Sequence, residues 1–323
     1  MKVLVTGMGG VLGTKVAQML EARPGINEVV GCDFVPPRRR LHRATFTRIH
    51  PEDRDRLTDY VTDFAPDAIA HMGVYEPDAR MGPAEAARAT ETCTVAALGA
   101  AARAGNLQRI ALRSGLEVYG RGHRHPKMPD ERAPLAPTTH YGRMLLEVEA
   151  IASDLARRED ITVCALRYAI VAGSHAPCPF ARMLRLPAVP VPAFADPPFA
   201  LLDHDDAAHA MVEAIVRAYD GPLNVVGPGA SSPWQAVRLG GRLPVPVFGP
   251  GWPVARRMVE LAGAPLPDHV EEVFHRGRAG DGSLAREVLD LGVMHPTQEV
   301  LADVFDWATV TPITDASRAS EIA

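Results

Sequence analysis

Lys2-Val-Leu-Val-Thr6-Gly7-Met-Gly9-Gly10-Val-Leu-Gly13 opens the chain, and Glu28-Val-Val-Gly-Cys-Asp33 is the next apolar run. The three apolar residues after Lys2 predict a buried parallel strand. Gly7, Gly10 and Gly13 would let the following turn approach a pyrophosphate and let the next helix pack closely on the sheet. The phosphates would then lie at a helix N-terminus, where free N–H groups and the helix dipole favour an anion.

Asp33 ends the second predicted strand, within reach of an adenosine ribose. A carboxylate at this position accepts hydrogen bonds from ribose hydroxyls and repels a 2′-phosphate, so the pattern predicts an NAD site and favours NAD over NADP. Arg38, Arg39 and Arg40 follow closely and leave NADP open, because a cationic run could receive a 2′-phosphate. Such a run is also common in solvated loops.

Composition limits the classes of partner. The chain has 323 residues and a formal net charge of −5, which argues against nucleic acid as a main partner. The early strand leaves no room for a signal peptide, and the apolar runs are too short to span a bilayer, so we expect a cytoplasmic protein without a membrane partner. The cysteines form no CxxC pair and the histidines lack ligand spacing, so we predict no metal site.

Apolar runs alternate with helical patterns from the glycine turn onward, which predicts an α/β fold with a Rossmann-type doubly wound parallel sheet. Proline-rich pieces after Tyr168 predict a smaller, interleaved α/β substrate domain. We predict a cofactor domain over 1–170, with 200–227 returning to it, a substrate domain over 171–199 and 228–312, and a tail over 313–323. The predicted strands are Val3–Thr6, Glu28–Asp33, Thr45–Ile49, Ala68–Met72, Arg109–Ser114, Thr162–Tyr168 and Leu223–Val226; the predicted helices are Val11–Glu21, Glu85–Ala104, His140–Arg158 and Asp205–Tyr219.

Taken in order, several motifs resemble the extended short-chain dehydrogenase/reductase family, and within it the NAD-dependent epimerase/dehydratase group. They are Thr6-Gly7-x-x-Gly10-x-x-Gly13, His71-Met-Gly73, Ser114-Gly-Leu-Glu-Val-Tyr119-Gly120, Pro137-Thr-Thr-His-Tyr141-Gly142-Arg143, Leu166-Arg167-Tyr168 and Leu202-Asp-His-Asp205-Asp206. The resemblance implies NAD as cofactor, a small-molecule substrate and a homodimer formed through two long helices. It implies cofactor contacts at Gly7, Gly9, Gly10, Val11, Leu12, Gly13, Asp33, His71, Met72, Gly73, Tyr141 and Tyr168.

The resemblance also implies catalytic residues, but the chain departs from the family at two of them. Tyr141 matches the tyrosine that acts as acid or base, whereas the lysine one turn later is replaced by Leu145. In the family this lysine lowers the pKa of the tyrosine and holds the nicotinamide ribose. The family's serine or threonine falls at Gly115. Ser114 is one residue away and is kept as a catalytic candidate, although adjacent strand residues face opposite sides.

Further departures concern the substrate and the adenine. The aspartate that meets adenine is replaced by His50 or displaced toward Glu52, and the arginine that meets a nucleotide-sugar diphosphate falls near Phe199. For several other candidates the sequence leaves the role undecided. Arg182, Arg185, Arg276 and Arg278 are either an anion clamp or surface ion pairs; His175 is either a proton donor or a loop residue; Asp205 and Asp206 are expected to cap a helix.

Three functional hypotheses follow. The first is an NAD-binding oxidoreductase or isomerase, similar to epimerases and dehydratases, that acts on a hydroxylated, sugar-like small molecule at an atypical site. The second, motivated by Leu145 and Gly115, is a catalytically impaired protein that uses bound NAD structurally or for redox sensing. The third, motivated by Phe199, is a ketoreductase or steroid-like dehydrogenase acting on an apolar alcohol.

Overall fold

The computed structural model describes residues 1–78, 81–122, 125–176 and 178–306. The predicted tail at 313–323 lies outside these ranges. The strands, in chain order, are β1 (Lys2–Thr6), β2 (Glu28–Asp33), β3 (Thr45–Arg48), β4 (Ala68–His71), β5 (Arg109–Gly115), β6 (Thr162–Tyr168), β7 (Ile170–Ala172), β8 (Ala188–Pro192), β9 (Leu201–Asp203), β10 (Gly221–Val225) and β11 (Leu243–Val247).

The helices alternate with the strands through the first half of the chain and dominate the last quarter. They are α1 (Val11–Ala22), α2 (Arg54–Phe64), α3 (Pro83–Arg103), α4 (His140–Glu159), α5 (Pro179–Leu184), α6 (His204–Arg217), α7 (Pro233–Leu239), α8 (Trp252–Leu261), α9 (Asp268–Arg276), α10 (Ser283–Leu289) and α11 (Thr297–Asp306). None of these described helices has the length and low charge needed to cross a bilayer.

Within the described residues, the main sheet has seven strands in the order β10-β6-β5-β4-β1-β2-β3. Its paired strands are parallel, and β1 lies in the interior, where Val3, Leu4 and Val5 are fully buried between helices. The α/β Rossmann-type prediction is confirmed. The strand β10, which overlaps the strand predicted over Leu223–Val226, pairs with β6 in this sheet.

A second apolar core lies beside the sheet. It contains Phe180, Phe199 and Phe274, together with the short parallel pairs β7–β9 and β8–β11. The helix α10, which the sequence assigned to the substrate domain, instead packs Ala285 and Leu289 into the core of the main sheet. Because the strands of the main sheet are parallel, their carboxyl ends lie at one edge, where the connections after β1, β2, β4, β5 and β6 meet. Ligands bind at this edge in folds of this kind.

Candidate functional site

The glycine turn after β1 forms a cradle of backbone atoms. Gly7 has a φ of +66°, and a β-carbon on Gly13 would lie 2.1 Å from the Gly7 carbonyl oxygen. The first helical hydrogen bond of α1 joins the Thr14 N–H to the Gly10 carbonyl, so the N–H groups before it have no helical acceptor. This cradle fits a pyrophosphate.

Asp33 lies beside the cradle at the end of β2. Its carboxylate accepts hydrogen bonds from the N–H groups of Gly9, at 3.1 Å, and Phe34, at 2.7 Å. Gly9 therefore holds the acid in place. Burial raises the pKa of the Asp33 carboxyl to about 6, although the Phe34 and Gly9 bonds oppose this. The Phe34 ring lies 5.8 Å from the rings of both His50 and Tyr75, which supplies aromatic surface close to this carboxylate.

A cleft with about 1460 Å³ of space, part of it open to solvent, runs from this cradle along the edge of the sheet. Among its lining residues are Gly7, Gly10, Val11, Leu12, Gly13, Asp33, Phe34, Arg38, His50, Met72, Tyr75, Glu76, Arg113 and Cys178. The glycine cradle, the carboxylate and the aromatic surface thus occupy one end of a continuous cleft, as the sequence predicts for a dinucleotide.

His71 has a different position from the one expected of a cofactor contact. Its Nδ1 bonds to Thr6 Oγ1 and its Nε2 to Thr94 Oγ1, each at 2.9 Å, and the side chain is fully buried. Burial lowers the pKa of His71 to about 4. The ring links β4 to β1 and α3, and the Gly73 N–H also donates to Thr6 Oγ1. This placement argues against a direct cofactor contact by the His71 side chain.

Tyr141 lines a chamber at the other end of the cleft, with about 470 Å³ of space, part of it open to solvent. It is the second residue of α4, whose N-terminus is capped by Thr139 accepting from the Gly142 N–H at 3.0 Å. Leu145, one turn later, is fully buried and cannot stabilise a phenolate. Burial raises the pKa of the Tyr141 phenol, Arg113 opposes this effect and Glu76 adds to it. Tyr168 also lines the chamber, but its hydroxyl donates to the Ala207 carbonyl at 2.9 Å.

The carboxylate of Glu117 fills the space that a side chain at residue 115 would need. A β-carbon on Gly115 would lie 2.2 Å from Glu117 Oε2 and 3.1 Å from Leu145 Cδ1. Glu117 in turn accepts a hydrogen bond from Arg278 Nη1 at 2.7 Å. Arg278 is 1% exposed and also pairs with Glu272 at 3.3 Å. It is therefore neither a surface ion pair nor a free anion clamp.

Ser114 also borders the chamber, but its hydroxyl is held by a neighbouring carboxylate. Its hydroxyl donates to Glu149 Oε1, and Arg167 binds the same carboxylate through Nε at 3.0 Å and Nη2 at 2.7 Å. These three buried side chains link β5, α4 and β6. Because the hydroxyl is held in this buried network, its placement argues against a catalytic role for Ser114.

A second charged group lines the chamber beside Tyr141. Glu76 Oε1 lies 3.0 Å from His269 Nε2, and Glu76 Oε2 lies 3.7 Å from Arg113 Nη2. The centroids of the His269 and Tyr141 rings are 4.5 Å apart. Sequence reasoning missed all three charged residues. Glu76 lies shortly after β4, and this position could have indicated a site residue. His269 lies on a distant helix, α9, and no sequence motif marks it.

A model of the NAD dependent epimerase/dehydratase family matches residues 3–225. The chain belongs to this family. The predictions of the family and of NAD as its cofactor are therefore confirmed.

Among curated proteins, the chain is 29% identical over 327 residues to an uncharacterized protein of Mycobacterium tuberculosis, Rv0501, covering 98% of this chain and 86% of that protein. Among solved structures, it is similar to a UDP-glucose 4-epimerase of Thermotoga maritima with UDP-glucose, with a TM-score of 0.73, 20% identity and coverage of 95% and 98% of the two chains. It is also similar to a UDP-glucose-4-epimerase of Stenotrophomonas maltophila with bound NAD and formylated UDP-arabinopyranose, with a TM-score of 0.71, 22% identity and full coverage of both chains.

Three other positions of this epimerase/dehydratase family member that the sequence singled out have structural roles. Phe199 is fully buried in the second core and packs on Phe180, with 4.9 Å between their ring centroids. The residue that caps α6 is Asp203, which accepts from the Asp205 N–H at 2.7 Å, so the cap lies two residues earlier than predicted. Cys178 caps α5 through its sulfur.

Proposed function

We propose that this chain is an NAD-dependent oxidoreductase or isomerase of the epimerase/dehydratase kind, acting on a hydroxylated, sugar-like small molecule. The observation that carries the proposal is the continuity of the two cavities, since Glu76, Arg113, Val171 and Cys178 line both of them. A dinucleotide seated on the glycine cradle could therefore extend its nicotinamide toward the Tyr141 chamber.

The charged lining supports a polar substrate. Glu76, Arg113, Glu117, His269 and Arg278 all line the chamber, which favours a ligand with several hydroxyl groups over an apolar alcohol. The hypothesis of a steroid-like substrate rested on Phe199, and that ring lies in the second core. The UDP-sugar complexes of the similar solved structures further support a sugar-like substrate.

The pyrophosphate and the adenosine end of the cofactor have residues suited to them. The N–H groups of the glycine turn would bind the pyrophosphate, Asp33 the adenosine ribose, and Phe34 and Tyr75 the adenine. When bound, NAD would accept a hydride from the substrate and return it. Because Leu145 provides no ammonium, we infer that the Tyr141 phenol stays protonated and donates a hydrogen bond to the substrate oxygen.

The second candidate is a protein that binds NAD without catalysis. It is favoured by the two altered positions: Leu145 stands where the lysine is expected, and the carboxylate of Glu117 fills the space beside Gly115. Calorimetric titration with NAD and NADH, followed by a turnover screen, separates the two candidates. We expect binding and turnover of at least one of UDP-glucose, UDP-glucuronic acid or a free sugar. Binding without turnover supports the second candidate, and failure to bind either dinucleotide contradicts both.

We also propose that the chain forms a homodimer through α3 and α4. These helices lie side by side, and Val95 of α3 is 40% exposed. Sedimentation of the wild-type protein and of Val95→Asp would test this proposal. We expect a dimer that the substitution weakens, and a wild-type monomer would overturn it.

A further inference from the structure

His269 is the least expected residue in the chamber. It is the second residue of α9, which belongs to the second core, yet its ring packs against Tyr141 at the head of α4. The side chain is 2% exposed, and Nδ1 has no hydrogen-bond partner among the described residues. A buried polar atom of this kind is costly unless a ligand satisfies it.

The groups around the imidazole hold it in one orientation. Nε2 lies 3.0 Å from Glu76 Oε1, which fixes the ring as a carboxylate fixes a catalytic histidine. Asp268 Oδ1 is 3.7 Å from Nδ1, too far for a hydrogen bond, and its two oxygens already accept the N–H groups of His269 and His140. Nδ1 is therefore the ring nitrogen left without a hydrogen-bond partner among the described residues, on a side chain that lines the chamber.

Charges from several elements act on this ring. Glu76 after β4 and Asp268 on α9 are negative, and Glu117 after β5 adds to them. The cations Arg113 and Arg278 oppose them, but each is itself paired with a carboxylate. Burial lowers the pKa of His269, while Asp268 and Glu76 more than compensate and leave it raised above its ordinary value. Burial acts in the opposite direction on Glu76, whose pKa is nonetheless lowered by the bond to His269.

We propose that His269 is the proton donor and acceptor of this site, with Glu76 as its positioning residue. The proposal rests on the proposed function. It assigns to His269 the proton transfer that the family's tyrosine, matched here by Tyr141, carries out. In alcohol oxidation, the substrate hydroxyl gives its proton to Nδ1 and its carbon gives a hydride to NAD, leaving a carbonyl and an imidazolium. In the reverse direction the imidazolium returns the proton.

The pH dependence is the readout that a merely structural role would not produce. Oxidation needs the neutral imidazole, so its rate should rise with pH through the raised pKa of His269, and carbonyl reduction should fall over the same range. Glu76→Gln removes a charge that favours the imidazolium and should move this limb to lower pH. His269→Asn should lose the limb and lower turnover about 100-fold or more.

The test measures these profiles at saturating cofactor, so that the pH dependence of NAD binding does not enter them, with the compound that turns over in the screen of UDP-glucose, UDP-glucuronic acid and free sugars. His275→Asn is the matched control, because His275 lies on the same helix but packs edge-on against Trp252, with 4.4 Å between ring centroids. Histidine ¹⁵N NMR of wild-type and Glu76→Gln protein reports the His269 titration independently of activity, and NAD calorimetry confirms that each variant folds and binds.

The outcomes separate the two proposals. Loss of the limb in His269→Asn together with a lowered NMR titration in Glu76→Gln supports the inference. Turnover with an unchanged pH profile in His269→Asn, or a His269 titration that Glu76→Gln does not move, overturns it and leaves the proposed function standing. NAD binding without turnover of any compound in the wild type overturns the proposed function, and the proton-transfer role with it.

Discussion

Protonation of Asp33 should control NAD affinity. Burial raises the pKa of this carboxyl to about 6 in the free protein. Ribose hydroxyls donate hydrogen bonds to the carboxylate, so NAD binding should return the pKa toward its ordinary value of about 4. Below pH 6 the free protein is largely protonated at Asp33, and binding must then release the proton.

The size of the effect follows from the two pKa values. A free-state pKa of about 6 and a bound-state pKa of about 4 make binding about tenfold weaker at pH 5 than at pH 8. Nearly one proton should be released per NAD bound at pH 5. Asp33→Asn should weaken binding at pH 8 by roughly 10- to 150-fold, because a hydrogen bond to a charged group contributes about 1.5–3 kcal/mol. The pH dependence should disappear in this variant.

Calorimetry at pH 5 and pH 8, in buffers of different ionisation enthalpy, measures both affinity and proton release. Glu28→Gln is the matched control, since Glu28 is an exposed acid at the opposite end of β2. It should retain the wild-type affinity and proton release. An Asp33→Asn variant that binds NAD as tightly as the wild type, with the same pH dependence, would refute the assignment of Asp33 to the ribose.

Three further substitutions, with Gly82→Ser as their control, test the packing that shapes the site. Gly13→Ala should abolish NAD binding and lower the melting temperature, because its β-carbon would lie 2.1 Å from a backbone oxygen. Gly115→Ser should displace the Glu117 carboxylate from its buried ion pair and destabilise the protein by about 3 kcal/mol in denaturant titrations. Gly82→Ser, at the start of α3 with open space around it, should be tolerated. Ser114→Ala should cost about 1.5–3 kcal/mol of unfolding free energy, because it removes one hydrogen bond to the buried Glu149 carboxylate and leaves those from Arg167. It should leave any turnover unchanged.

For each of the three test substitutions, one result would contradict the prediction. Full stability of Gly13→Ala would mean that the turn is not packed as described. A stable Gly115→Ser variant with increased turnover would mean that the serine position can still be restored. A large loss of turnover in a folded Ser114→Ala variant would return Ser114 to the catalytic residues.

Local patterns made the main sheet predictable from the sequence. The glycine turn, the buried apolar strands and the long helices each carry a period or a spacing that physical rules decode. The helix α2 was not predicted, because its apolar pattern is sparse. Within its described residues only Leu57 and Val61 are buried. The placement of α10 depends on tertiary packing against β10 and α6, which the local pattern does not encode.

The two ends of the candidate site also differ in how far the sequence predicts them. The cradle and Asp33 lie within one continuous stretch, so their spacing is visible in the sequence. The chamber is assembled from the segment after β4 and from β5, β6, β7, α4, α5 and α9. Its charges pair over separations of up to 193 residues, as Glu76 and His269 do. Spacing along the chain cannot reveal such partners. The altered positions Gly115 and Leu145 showed that the usual chemistry was incomplete, but they did not indicate which side chains had taken the space.

A crystal structure of the NAD complex is the most direct test of the central claim, which joins a conventional adenosine site to a rebuilt nicotinamide chamber. We predict the pyrophosphate on the N–H groups at the start of α1, the ribose diol on Asp33, and the nicotinamide in the chamber beside Tyr141 and His269. A nicotinamide that lies outside this chamber, with the pyrophosphate still on the glycine turn, would contradict the account.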